Sequence, residues 1–185
     1  MPAPERTTTA AIVAAGRAIV EDGGTAALTM QAVADRVGVR APSLYKRIAG
    51  RDALLAAVVA ATLADLAADI AAAAERADGP RARIVDIATA TRAFAHRSPI
   101  GYGLVFGGPG APSPDAAALA DAVRPLLEAA RDLGGDDDAL GAARLLTAWL
   151  HGFLAMDLAG AFRLGGDVDD AFAYGLGRIL AAIER

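Results

Sequence analysis

Residues 29–55 read Thr29-Met-Gln-Ala-Val-Ala-Asp-Arg-Val-Gly38-Val-Arg-Ala-Pro-Ser-Leu-Tyr45-Lys-Arg-Ile-Ala-Gly50-Arg-Asp-Ala-Leu-Leu55. Thr29 stands just before an apolar-periodic run and predicts an N-cap for a helix over 30–37. Gly38 supplies the positive φ that a tight turn needs. A further helix follows from about Ala41 to Arg47, with Pro42 tolerated in its first turn. Gly50 then breaks the chain before a long helix over 51–76.

Two helices that cross closely need a small residue at the contact, a glycine at the turn and apolar side chains facing inward. Ala34, Gly38 and Leu44 fall at those offsets, and Val33, Val37 and Val39 supply the inner faces. The exposed residues suit DNA. The first turn of the second helix carries the short Ala41, Pro42 and Ser43, so its backbone can approach base edges and apolar atoms can meet thymine methyl groups. Arg40, Tyr45, Lys46, Arg47 and Arg51 bracket that turn as phosphate anchors, which set position and salt dependence. Thr29 and Gln31 can add phosphate bonds at the start of the preceding helix.

Charge is distributed to match. The chain of 185 residues carries a net charge of −4, yet residues 1–55 hold seven basic and five acidic side chains, a balance of +2. Residues 56–185 hold eleven basic and seventeen acidic, a balance of −6, so only the first third is fit to face phosphate. Alanine makes up about a quarter of the chain, which favours helices throughout. With no cysteine, disulfides, thiolate metal sites and thiol catalysis are excluded. The longest uncharged run, Ser98–Pro114, is broken by four prolines and five glycines, so no membrane span is expected. The start of the chain has Glu5 and Arg6 and no clean apolar stretch, so no signal peptide and a cytoplasmic location are expected.

Outward from the central stretch, a helix is predicted over 7–22, ended by Gly23-Gly24. After the 51–76 helix come helices near 80–96, 99–106, 115–133 with Pro125 inside, 138–163 and 168–184; residues 107–114 are a loop by composition. The expectation is an all-α chain: a three-helix helix-turn-helix domain over 1–50 and a six-helix domain over 51–185.

Leu28-Thr29, Val33-Ala34, Gly38-Val39, Pro42-Ser43-Leu44-Tyr45 and Arg51-Asp52-Ala53-Leu54-Leu55 together resemble the TetR-type bacterial transcriptional regulators over residues 8–55. Two departures stand out: Arg40 where that family usually has serine or threonine, and Arg47-Ile48 where it usually has histidine or tyrosine before phenylalanine. Further on, Tyr102-Gly-Leu-Val-Phe-Gly107 and Trp149-Leu-His-Gly152 resemble the subgroup whose C-terminal domain is named for a Trp-His-Gly motif. The resemblance implies a homodimer closed by residues 138–163 and 168–184 and a ligand cavity in each body. Two-fold symmetry then calls for a palindromic double-stranded DNA operator, and the apolar, alanine-rich body with scattered aromatics suggests a small hydrophobic effector. Candidate cavity residues are Tyr102, Phe106, Trp149, His151, Phe153 and Met156, each of which core packing would also explain.

No cofactor or metal is expected. Asp136-Asp137-Asp138 reads as a solvated helix cap, and the glycines of 107–110 lack the lysine and hydroxyl of a phosphate loop. Ser43, Ser98 and Ser113 are the only serines, none in a Gly-x-Ser-x-Gly turn, so an enzyme is not expected. The alternative is a helical module whose 41–47 segment docks a protein, which would not require basic residues around an exposed tyrosine.

Overall fold

The computed structural model describes residues 8–107 and 111–184. Among these residues the chain forms nine helices and no strand: α1 (Thr9–Ala27), α2 (Met30–Val37), α3 (Ala41–Leu44), α4 (Arg51–Arg76), α5 (Pro80–Arg97), α6 (Pro99–Val105), α7 (Ala116–Gly134), α8 (Ala139–Leu158) and α9 (Val168–Ile183). The all-α expectation therefore holds. Residues 1–7, 108–110 and 185 lie outside the description, and with them the first residue of the expected 7–22 helix and part of the 107–114 loop. Two compact units are present, the first within 1–64 and 98–116 and the second within 65–97 and 117–185.

In the first unit α1 buries Ile12, Ala15, Ile19 and Val20 along one stripe. Gly24, at φ +73°, interrupts the helix at the expected break, and the chain resumes one further turn to Ala27. Gly16 lets α1 approach α4 closely: a Cβ there would lie 3.1 Å from Val58 Cγ2 and 3.4 Å from Leu54 Cδ1. Leu28, Val33, Ala34, Leu44 and Leu54 are each fully buried around this contact. Each of the leucine and valine side chains contributes about 1.5–3 kcal/mol on leaving water.

The second unit is built from the later part of α4 with α5, α7, α8 and α9. Its core is Ile84, Ile87 and Phe94 of α5, Leu126 and Ala129 of α7, Leu146, Leu150 and Leu154 of α8, and Phe172, Leu176 and Leu180 of α9. Alanine at many inner positions lets helices approach closely. Where α7 ends, a Cβ on Gly134 would stand 2.9 Å from the Ile183 carbonyl.

Two expectations are corrected. The helix placed over 41–47 is regular only through Leu44; the amides of Arg47 and Ile48 both donate to the Leu44 carbonyl, at 2.9 and 3.0 Å, so the chain tightens into a turn. That turn brings Ile48 into the core. The helix placed over 138–163 stops at Leu158, because Gly160 adopts φ +60° and directs its amide to the Asp157 carbonyl at 2.9 Å. Two helices, α4 and α8, are long and apolar enough to cross a membrane by length and composition, with mean hydropathy 1.9 and 1.3. Runs free of charge miss them because scattered Asp and Arg residues interrupt the apolar stretches. In this fold α4 instead buries Leu54, Val58, Leu63, Leu66 and Ile70 as core.

Candidate nucleic-acid interface

The segment from Thr29 to Arg51 is shaped by local chemistry. Thr29 Oγ1 accepts from the Ala32 amide at 3.0 Å, capping α2 as expected. Gly38 sits at φ +74°, ψ +35°, and the Val39 amide reaches back to the Ala34 carbonyl at 2.9 Å, closing α2 and turning the chain toward α3. The Ser43 amide donates to the Arg40 carbonyl at 2.9 Å, which starts α3 with Pro42 in its first turn. Leu44 and Ile48 point inward, while Arg40, Pro42, Ser43, Tyr45, Lys46 and Arg47 are exposed and Ala41 is half-buried.

The expected contact residues lie along Thr29–Arg51, and besides the Thr29 oxygen that caps α2 the side chains of Gln31 and Arg51 have partners within the fold. Gln31 is exposed but donates its side-chain amide to Asp35 at 2.7 Å. Arg51 is tied down more firmly: Nε donates to the Leu28 carbonyl at 2.9 Å and Nη2 to the Thr25 carbonyl at 2.7 Å, with Nη1 3.4 Å from Asp52. Its guanidinium braces the end of α1 against the start of α4. Tyr45, in contrast, is 55% exposed, far more than a tyrosine that merely closes a small core. A short turn of small residues followed by exposed phenol, ammonium and guanidinium groups is equipped to approach a groove and anchor phosphates.

The six candidate cavity residues divide between the two units. Tyr102 and Phe106 belong to the first, with ring centroids 4.8 Å apart; Tyr102 is buried, which raises its phenol above the usual pKa, and Phe106 is partly exposed. Trp149, His151, Phe153 and Met156 belong to the second. There Trp149 lies 5.5 Å from Phe153 and 5.4 Å from Phe172, whereas Met156 is 48% exposed and His151 half-buried. Two cavities of the second unit have volumes of about 370 and 430 Å³. Thr89, Arg92, Ala93, His96 and Asp169 line one; Ala71, Ala74, Glu75, Ala77, Arg83, Pro125 and Glu128 line the other. None of the six is among these residues.

Sequence reading passed over a charged cluster beside the first cavity. Arg92 donates to Asp157 at 3.0 Å and to Asp169 at 2.6 Å, and its guanidinium lies 5.0 Å from the Phe172 ring centroid. His96 Nε2 meets the same Asp157 oxygen at 2.9 Å. Burial alone would raise the Asp157 carboxyl, but hydrogen bonds from His96 and Arg92 outweigh it and hold it below the usual carboxylate range. The cluster ties α5, α8 and α9 together. Residues 61 to 77 positions apart form it, so no local pattern announces it. Among the described residues no group of three or more metal-ligating side chains gathers.

Comparison with known proteins bears on both units. A family model described as bacterial regulatory proteins, tetR family, matches residues 5–58, and one described as tetracyclin repressor-like, C-terminal domain, matches residues 84–179. Among curated proteins none matches significantly. Among solved structures, the regulatory protein SCO4313 is 27% identical with a TM-score of 0.80, over 94% of this chain and 95% of that one. The transcriptional regulator SCO7222, a TetR from Streptomyces coelicolor, is 17% identical with a TM-score of 0.73, over 97% and 100%, and is similar in fold. TetR-Q116A from Acinetobacter baumannii AYE in complex with minocycline is 21% identical with a TM-score of 0.67, over 95% and 96%, again a likeness of fold.

Proposed function

Because the chain belongs to the tetR family of bacterial regulatory proteins, and so is a DNA-binding transcriptional regulator, we propose that it is a homodimeric repressor released from a palindromic operator by a small hydrophobic effector. The observation that carries the reading is the exposed run from Arg40 to Arg47 on a buried Leu44–Ile48 anchor. Ala41, Pro42 and Ser43 approach the bases, while Arg40, Tyr45, Lys46 and Arg47 hold phosphates. Thr29 keeps a hydroxyl proton to donate to phosphate while its oxygen caps α2, and Gln31 reaches a phosphate only by leaving Asp35. Arg51 acts through the fold.

Homodimer formation is supported by α8. Leu145, Ala148, Gly152, Ala155, Met156 and Ala159 repeat at helical spacing and are all exposed, an apolar face without a cover in one chain. α9 adds an exposed Tyr174. Two-fold symmetry then sets two α3 segments into successive major grooves. The effector reading is supported by the aromatic group around Trp149 and Phe153 and by minocycline in the A. baumannii protein of like fold. Because α4 is one helix from Arg51 to Arg76, a shift caused by the effector would reach the readers, with reciprocal coupling of typically about 1–3 kcal/mol. A DNA-reading protein works in the cytoplasm.

Selection of random duplex DNA by the purified protein, with a Tyr45→Ala/Lys46→Ala control, tests the reading. A palindromic consensus lost in the control supports it. Absence of enrichment at low salt would favour the protein-docking alternative.

A further inference from the structure

α6 has little of its own to hold its first turn. Ser98 occupies the N-cap position without a side-chain capping bond, and Pro99 has no N–H. The next two amides, Ile100 and Gly101, both donate to the carboxylate of Glu21 in α1, at 3.2 and 2.7 Å. A helix of the later chain is thus capped by a residue 79 and 80 positions away, and a negative charge meets its positive dipole end.

The approach depends on glycine. A Cβ on Gly101 would stand 2.7 Å from Glu21 Oε1 and 3.2 Å from Thr62 Cγ2. Thr62 is a buried residue of α4, so Gly101 is the point where α1, α4 and α6 meet within the first unit. The neighbour of Glu21 faces the other way: Asp22 pairs with Arg36 of α2 at 3.2 Å. Two successive carboxylates at the end of α1 therefore hold α6 and the first helix of the helix-turn-helix.

We infer that Glu21 is a positioning residue for DNA binding: its carboxylate joins α6 to α1, so that a displacement of α6 is passed to α2 and α3. The inference rests on the DNA-binding reading. Reciprocity requires that an operator which restrains α1–α3 also restrains the first turn of α6. A residue that only stabilises the fold would leave no such dependence.

Hydrogen exchange on the full chain, with and without a selected operator duplex, tests this for wild type, Glu21→Ala, Glu21→Gln and Gly101→Ala. In the wild type, operator should slow exchange in the segment covering residues 98–106. Glu21→Ala should exchange there about tenfold faster and no longer respond to operator. Glu21→Gln, which keeps an acceptor oxygen without the charge, should recover part of the response. If Glu21→Ala does not fold, Gly101→Ala gives the same readout by displacing the carboxylate while keeping it. An α6 indifferent to bound operator in the wild type, or a full response in Glu21→Ala, overturns the inference. Duplex occupancy is followed in the same samples by anisotropy. A wild type that binds no duplex would remove the DNA-binding reading itself, and this inference with it.

Discussion

Arg51, the first residue of α4, donates its Nε to the carbonyl of Leu28 at 2.9 Å, across the junction where α1 ends and α2 begins. Its Nη2 takes the Thr25 carbonyl at 2.7 Å. These carbonyls lie at the C-terminal end of α1, where the Thr25 carbonyl also accepts the Leu28 amide, so a cation there meets the negative end of the helix dipole. The planar fork of arginine reaches both at once, which an ammonium group does not.

Arg51→Ala should therefore lower the stability of the protein by about 1 kcal/mol, a figure kept small because the side chain is partly in water. Arg51→Lys should recover less than half of the loss. Urea unfolding followed by circular dichroism reads both. Equal midpoints for wild type and Arg51→Ala would show that the brace contributes nothing.

Lys46 and Tyr45 should behave in the opposite way. Both are exposed and neither anchors the core, so Lys46→Ala and Tyr45→Phe should leave the urea midpoint near that of the wild type. Their effect belongs in the salt titration. Each should weaken operator and random DNA by similar factors, and Lys46→Ala should reduce the slope of log affinity against log salt by about one. Changing Ser43 should instead redistribute affinity among sequences; a uniform loss across all duplexes would refute base contact there.

Features set by neighbouring residues could be read from the chain, and features set by distant ones could not. Thr29 capping α2 and Gly38 at φ +74° are decided within a few positions, which is why the start of α2 and the turn that ends it were legible. The end of α3 at Leu44 was misjudged because nothing in Tyr45-Lys46-Arg47 breaks a helix; the pull of Ile48 into the core does. Gly160 carried a usable signal for the end of α8, overlooked because the apolar pattern runs past it into Phe162. Arg51 looked like a surface cation because its acceptors, Leu28 and Thr25, lie 23 and 26 residues earlier. Glu21 on α6 and Arg92 on Asp157 are of the same kind. Pairings of that range follow from the packing of helices, and a single sequence holds no periodicity that reports them.

The Asp157 cluster makes stability depend on acid. Its carboxyl is held below the usual range in the fold, whereas in the unfolded chain it titrates near the ordinary value of about 3.9. The folded form therefore binds the proton less readily. The contribution is complete above the unfolded value and is lost as pH falls through the folded one. Unfolding by urea from pH 7 down to about pH 3 should show a steeper loss in wild type than in Asp157→Asn. At neutral pH Asp157→Asn should be the less stable by about 1–3 kcal/mol, since Arg92 and His96 lose their shared charged acceptor. Parallel pH profiles for the two proteins would contradict the assignment.

Gly175 in α9 and Trp149 in α8 offer a test of how tightly the second unit is packed. A Cβ on Gly175 would fall 2.7 Å from Trp149 Cζ2, 3.2 Å from Cε2 and 3.3 Å from Nε1. The obstacle is a rigid ring, flanked by Phe153 and Phe172 and unable to yield as a flexible chain end would. Gly175→Ala gains helix propensity worth about 1 kcal/mol, and the overpacking cost of typically about 1–3 kcal/mol should exceed it. The net outcome is a lower midpoint. Trp149 is the only tryptophan in the chain, so its emission should shift as the ring is displaced. Trp149→Phe loses buried area but opens the space the new methyl needs. In the double variant Trp149→Phe/Gly175→Ala the two losses should therefore be strongly non-additive, with a coupling of roughly 1 kcal/mol or more. Additive losses with unchanged tryptophan emission in Gly175→Ala would mean that α8 and α9 stand further apart than this contact requires.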